Sequence, residues 1–135
     1  MRVIIAGGRD FNDYGLLFHK THEIFKQLSD EKHLTGRVDI DINNIEIVSG
    51  TARGADQLGE KFAKEHEIRI KRFPADWNTF GKRAGYIRNE QMTKYAKEDK
   101  KLGVLIAFWN GESRCTKHMI DLANKHELRV FVVNY

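Results

Sequence analysis

"IVSGTARGAD", residues 47–56, decides the reading of this chain. A strand-like apolar run, Ile45, Ile47 and Val48, stops at Ser49-Gly50. Arg53-Gly54 follows, and a helical pattern opens at Ala55. A strand that passes through a glycine-rich turn into a helix is the first half of a βαβ unit. A plain connection needs one turn residue. This one carries two glycines, two hydroxyls, an arginine and an aspartate. Free backbone N–H groups, hydroxyl donors and the positive end of a helix are what an anion requires. We therefore read residues 49–54 as a loop that holds a phosphate.

The same alternation repeats on both sides of this stretch. Strands are expected at 2–6 (RVIIA), 45–48, 68–73 (IRIKRF), 103–109 (GVLIAFW) and 129–134 (RVFVVN). Helices are expected at 14–29, 55–66, 84–97 and 115–126, where apolar residues recur at helical spacing. Five strands separated by helices predict one α/β domain over 1–135, a Rossmann-like three-layer α/β/α sandwich. Its five-stranded parallel sheet is expected in the order 3-2-1-4-5. Residues 103–109 are continuously apolar, as a central strand is, and IRIKRF alternates apolar with basic, as an edge strand does. Residues 38–42 (VDIDI) also alternate and precede Asn43-Asn44, so 31–44 is expected as a long connection with a short extra strand. Asp39 and Asp41 on one face of that strand are read as solvated rather than as metal ligands. No metal site and no cofactor is expected.

Composition bounds the function. With 41% hydrophobic and 31% charged residues and one proline, the chain is globular. No apolar run spans a bilayer, and the run after Met1 is too short for a signal peptide. Cys115 is the sole cysteine, which suits a reducing cytoplasm. A net charge of +4 with acids and bases interleaved suits an anionic ligand better than a nucleic-acid footprint.

In sheets of this kind ligands bind beyond the carboxyl ends of the strands. Glycines cluster there: Gly7/Gly8, Gly50/Gly54, Gly81/Gly85 and Gly111. In the first loop, Gly7 and Gly8 free the backbone to face an anion, and Arg9 can fork to a phosphate. Asp10 accepts from ribose hydroxyls, caps the next helix or pairs with Arg9. Phe11 is a core residue or a stacking ring. In the second loop Ser49, Gly50, Thr51, Arg53 and Gly54 face the ligand, while Asp56 sits in the first helical turn and favours the dipole. The third loop, 74–89, mixes aromatics and bases like a lid. Arg88 and Asn89 are read as site residues, Lys82 and Arg83 as a solvated face. In the fourth, Trp109 and Gly111 precede Ser113 and Thr116, which cap the helix or bind phosphate; the two roles look alike in sequence. His118, one turn in, is read as structural.

Taken together, Gly7-Gly8-Arg9-Asp10-Phe11, Ser49-Gly50-Thr51-Ala52-Arg53-Gly54-Ala55-Asp56, Gly81…Ala84-Gly85…Arg88-Asn89 and Phe108-Trp109-Asn110-Gly111…Ser113…Thr116-Lys117-His118 resemble the SLOG superfamily. The likeness is to its YspA-like group, related to YpsA, and more distantly to the DprA/Smf and LOG proteins. It implies a Rossmann-like fold and a pocket for a nucleotide or nucleotide-derived phosphate ligand, bound or sensed, often in phage and mobile-element settings. Cys115 stands where the group usually has glycine. The proline-glycine-glycine of the LOG enzymes is missing, and Lys117-His118 follows Thr116, so the LOG phosphoribohydrolase motif is not intact. Catalytic residues stay unassigned. The alternatives are a hydrolase or N-glycosidase acting on a nucleotide derivative, and DprA-like single-stranded DNA binding through Arg69, Lys71, Arg72, Lys82 and Arg83. The expected partner is a nucleotide-like small molecule, with no membrane and with homo-oligomers left open.

Overall fold

The computed structural model describes residues 1–135. Strands β1 (Arg2–Gly7), β2 (Glu46–Ser49), β3 (Arg69–Arg72), β4 (Gly103–Trp109) and β5 (Arg129–Asn134) form one sheet. Its order is β3-β2-β1-β4-β5, and every pairing is parallel, as the sequence predicts. β4 is buried from Gly103 to Phe108, which explains its unbroken apolar run: helices cover both of its faces. β3 lies at an edge and exposes Arg69, Lys71 and Arg72.

Strand alternation divides the core in two. Val3 and Ile5 of β1 point to one face, against α1 (Tyr14–Thr35) and α2 (Ala55–Glu65), which contribute Leu17, Ile24, Leu28 and Phe62. Ile4 and Ala6 point to the other, against α4 (Ala84–Glu98) and α5 (Arg114–Lys125), which contribute Met92, Ala96, Met119 and Ala123. Between β3 and α4 the chain makes a short helix, α3 (Trp77–Phe80), and a single 3₁₀ turn over Gly81–Arg83.

Two expectations change. The first helix does not stop near residue 29; it continues to Thr35, where Gly36 takes a left-handed conformation (φ 69°) and returns its N–H to Lys32. Residues 38–42 form no strand. They are turns, in which Ile40 is fully buried and the Asp39 carbonyl accepts from Leu102 N–H. The alternation in VDIDI reflects one plug into the core rather than a pleat. Asp39 is spent on Arg37, at 2.6 Å.

Candidate functional site

The strand-to-helix loops gather at one end of the sheet because every crossover is parallel. There the first and fourth loops meet the opening turns of α4 and α5 around a cleft of about 580 Å³. Gly7, Gly8, Arg9 and Asp10 form one wall. Arg88 and Asn89 of α4 and Ser113 and Thr116 of α5 form the other. A second hollow of about 520 Å³ adjoins it, lined by Gly50, Thr51, Arg53 and the Pro74-Ala75 segment. Arg9, Ala52, Trp77 and Arg88 line both, so they are the divide between the two spaces.

Arg88 is the centre of this geometry. It is only 6% exposed. Its Nη1 donates to the Gly50 carbonyl at 2.9 Å, and its Nη2 lies 3.7 Å from Cys115 Sγ. Its Nε is buried with no hydrogen-bond partner. A charged donor left unpaired away from water is costly, and the attraction between Arg88 and buried Asp56 offsets part of that cost. Asn89, 2% exposed, donates to the Cys115 carbonyl at 3.1 Å and touches His118 Nδ1 at 3.2 Å, so it ties α4 to α5. His118 lies behind it, its pKa lowered mainly by burial.

Asp56 is 5% exposed and lines the cleft. Its Oδ2 accepts from Ala52 N–H at 3.1 Å, so it braces the second loop from within. Burial raises its pKa from 3.8 to about 6, against the opposing pull of Arg88. Asp10 instead is exposed and accepts from Tyr135 Oη at 2.6 Å. Arg9 is exposed and lies 5.5 Å from the Trp77 ring. Counting Lys82 and Arg114, four cationic side chains line the cleft against the two carboxylates, Asp10 and Asp56. The space therefore favours an anion. Trp77 and Tyr86, half-exposed, supply aromatic surface beside it.

Several residues read as ligand contacts do other work. Ser49 is buried; its Oγ donates to Glu60 at 2.7 Å and accepts from Thr51 N–H at 3.0 Å. Gly50 lines the second hollow, but a Cβ there would meet Asp56 Oδ2 at 2.8 Å and Arg88 Cδ at 2.9 Å. Protein, not open space, faces it. Gly54 lines neither hollow. With φ 80° and ψ −127° it lets α2 start against the first loop, where Ala55 N–H donates to the Gly8 carbonyl. Trp109 turns its indole N–H to the Ser113 carbonyl at 3.1 Å and stays outside the cleft. Gly111 makes an open left-handed turn (φ 86°), also outside it. Phe11 is core, stacked on Phe108 at 4.8 Å. Ser113 does cap α5: its Oγ accepts from Thr116 N–H and meets Thr116 Oγ1 at 3.0 Å.

Sequence reasoning passed over Met92 and Met119, which line the cleft as its apolar floor. The signal was there: each lies four residues beyond a polar lining residue, Arg88 and Cys115, on the same helical face. Lys82, read as solvated, also lines it.

The parallel sheet in this order, with helices on both faces, defines a Rossmann-like α/β domain. A family model described as "YspA, cpYpsA-related SLOG family" matches residues 1–80, more than half of the chain, and the protein belongs to that family. Membership points to nucleotide-related ligand binding or modification. The matched span carries the first two loops; Arg88, Asn89 and the fourth loop lie beyond it. The chain is also similar to the Gene 61 protein of Mycobacterium phage D29. The two are 29% identical over 129 residues, covering 92% of this chain and 89% of that protein. No solved structure matches. No helix is long and apolar enough to cross a membrane.

Proposed function

We propose that the protein binds, and by binding senses, a nucleotide or nucleotide-derived phosphate ligand in the cleft between its first and fourth loops. One observation carries this reading: four cationic side chains, Arg9, Lys82, Arg88 and Arg114, line the cleft against two carboxylates. A phosphate among them gains charge-assisted hydrogen bonds. Arg9 lines the same space and is free to fork onto the phosphate oxygens. The half-exposed rings of Trp77 and Tyr86 suit a base. The phage-encoded relative suits action in the cytoplasm of an infected cell.

The test is calorimetric titration of AMP and ADP-ribose into the protein and into Arg9→Ala. The expected result is binding that weakens roughly ten- to a hundredfold in the variant, the loss of one charge-assisted contact. Equal affinity in both proteins, or no binding of any nucleotide, refutes the assignment.

Asp56 favours a second reading, turnover of the bound ligand. A buried carboxyl with a pKa of about 6 at the cleft wall is poised to exchange a proton near neutrality. If it is a general acid or base, product accumulates on incubation with the ligand and disappears in Asp56→Asn. A stable complex with no product in the unaltered protein leaves binding as the whole function.

A further inference from the structure

The two edges of the sheet are built differently. β3 is four residues long and exposes Arg69, Lys71 and Arg72, and charges of this kind keep an edge from pairing with another chain. β5 is six residues long, and Val130, Phe131, Val132 and Val133 run through it without a charge or a proline. Val132 is 41% exposed. Arg129, at its start, is not a guard: it turns inward to Glu31 of α1 at 2.9 Å, so its charge is already met.

Backbone direction sets what this edge can do. Tyr135 N–H donates to the Trp109 carbonyl, toward β4. Strand geometry alternates, so Phe131 and Val133 also turn their backbone groups to β4. Val130, Val132 and Asn134 turn theirs outward, where no strand lies. A partner strand must bring its own outward groups to these three positions.

We propose that β5 pairs antiparallel with β5 of a second copy of this chain about a two-fold axis at Val132, joining two sheets into one. In this register Val132 faces the partner's Val132, and Val130 faces the partner's Asn134. Each of these pairs exchanges both backbone bonds. Phe131 then faces the partner's Val133, and Arg129 faces the partner's Tyr135. Every apolar residue of the edge meets an apolar or neutral one, and no like charges oppose. A slip by one residue would set outward groups against inward ones. A slip by two would leave an end of the strand unpaired. Self-pairing is isologous and closes at two copies, unlike a chain of edge-to-edge contacts. The interface ends at Tyr135, which holds Asp10 of the first loop, so assembly also steadies one wall of the cleft.

The self-facing residue gives a direct test. Val132→Cys in a Cys115→Ser background brings two Cα atoms to about 5.5 Å, inside the roughly 4.4–6.8 Å span of a disulfide. Mild oxidation with copper-phenanthroline and air should give a covalent dimer on a non-reducing gel. Val130→Cys in the same background should give none, because its counterpart is Asn134. In sedimentation at micromolar concentrations the unaltered protein should be dimeric. Val132→Glu should weaken association roughly tenfold or more while keeping its far-ultraviolet dichroism, and Lys71→Glu on the β3 edge should not. A monomeric unaltered protein overturns the proposal. So does a dimer that survives Val132→Glu, that is lost in Lys71→Glu, or that links through Val130→Cys as well as Val132→Cys.

Discussion

The first loop, Gly7 to Phe11, and the second, Ser49 to Gly54, carry nearly the same chemistry: two glycines, an arginine, and hydroxyl or carboxylate groups between a strand and a helix. They end differently. The first loop faces the cleft with Arg9 free of any ion pair. In the second, Ser49, Gly50 and Ala52 are engaged by Glu60, Arg88 and Asp56. A glycine-rich loop supplies donors and close approach, and what approaches is decided elsewhere. At Gly50 it is the Arg88 side chain, which arrives from 38 residues away in sequence. The second loop thus holds Arg88 in place, and of its own residues Ser49 and Gly54 line neither hollow.

Gly54→Val should break this comparison most severely. A Cβ at Gly54 would stand 2.2 Å from the Gly8 carbonyl oxygen, and φ 80° with ψ −127° belongs to glycine. The expected loss is roughly 3 kcal/mol or more of stability, since neither backbone can yield without unseating the other loop. Thermal unfolding by circular dichroism measures it. A variant that melts with the unaltered protein would mean the two loops are not locked together.

Asp56→Asn comes next and acts through pH. The folded protein raises the Asp56 pKa from 3.8 to about 6, so between those values the folded state holds a proton that the unfolded state has released. Stability falls as pH rises across that window and levels off above it. Asparagine keeps the acceptor for Ala52 N–H and cannot ionise. It should raise stability by about 3 kcal/mol near pH 8 and by nothing near pH 3. Denaturant titrations at the two pH values check this. Equal effects at both would mean that Asp56 ionises in the fold as it does in water.

The strands and the sheet order were open to reading because burial on both faces writes an unbroken apolar run and an edge writes alternation, as in GVLIAFW and IRIKRF. The glycine loops mark the end of the sheet where the cleft opens, for the same local reason. The occupant of each loop was hidden, because Arg88 reaches Gly50 and Tyr135 reaches Asp10 across 38 and 125 residues, and spacing says nothing of such contacts. VDIDI misled because two alternating turns and one buried isoleucine imitate a strand. The cleft floor escaped because Met92 and Met119 also belong to the core, and core and cavity share one helical face.

Arg9→Ala sharpens the contrast from the side of the ligand. Arg9 is exposed and makes one weak contact with the Trp77 ring, so its removal should shift the melting temperature little. Nucleotide affinity should fall by about 1.5–3 kcal/mol. A variant that loses stability and keeps affinity would reverse the roles of the two loops.

Ser49→Ala is the smallest change and the most discriminating, because sequence alone assigns Ser49 to the ligand. In the fold its hydroxyl donates to Glu60 and accepts from Thr51 N–H, beneath the surface and outside both hollows. Alanine removes both bonds and leaves the Thr51 N–H without its partner, while Glu60 keeps Arg72 at 2.9 Å. The cost should be about 1 kcal/mol of stability, the usual net worth of such a bond. Affinity for a nucleotide should stay within about twofold, since no atom that faces the cleft has moved. Paired melting and calorimetry on the one variant separate the outcomes. If affinity instead drops tenfold with stability intact, the serine reaches the phosphate, and the second loop joins the first as a direct ligand contact.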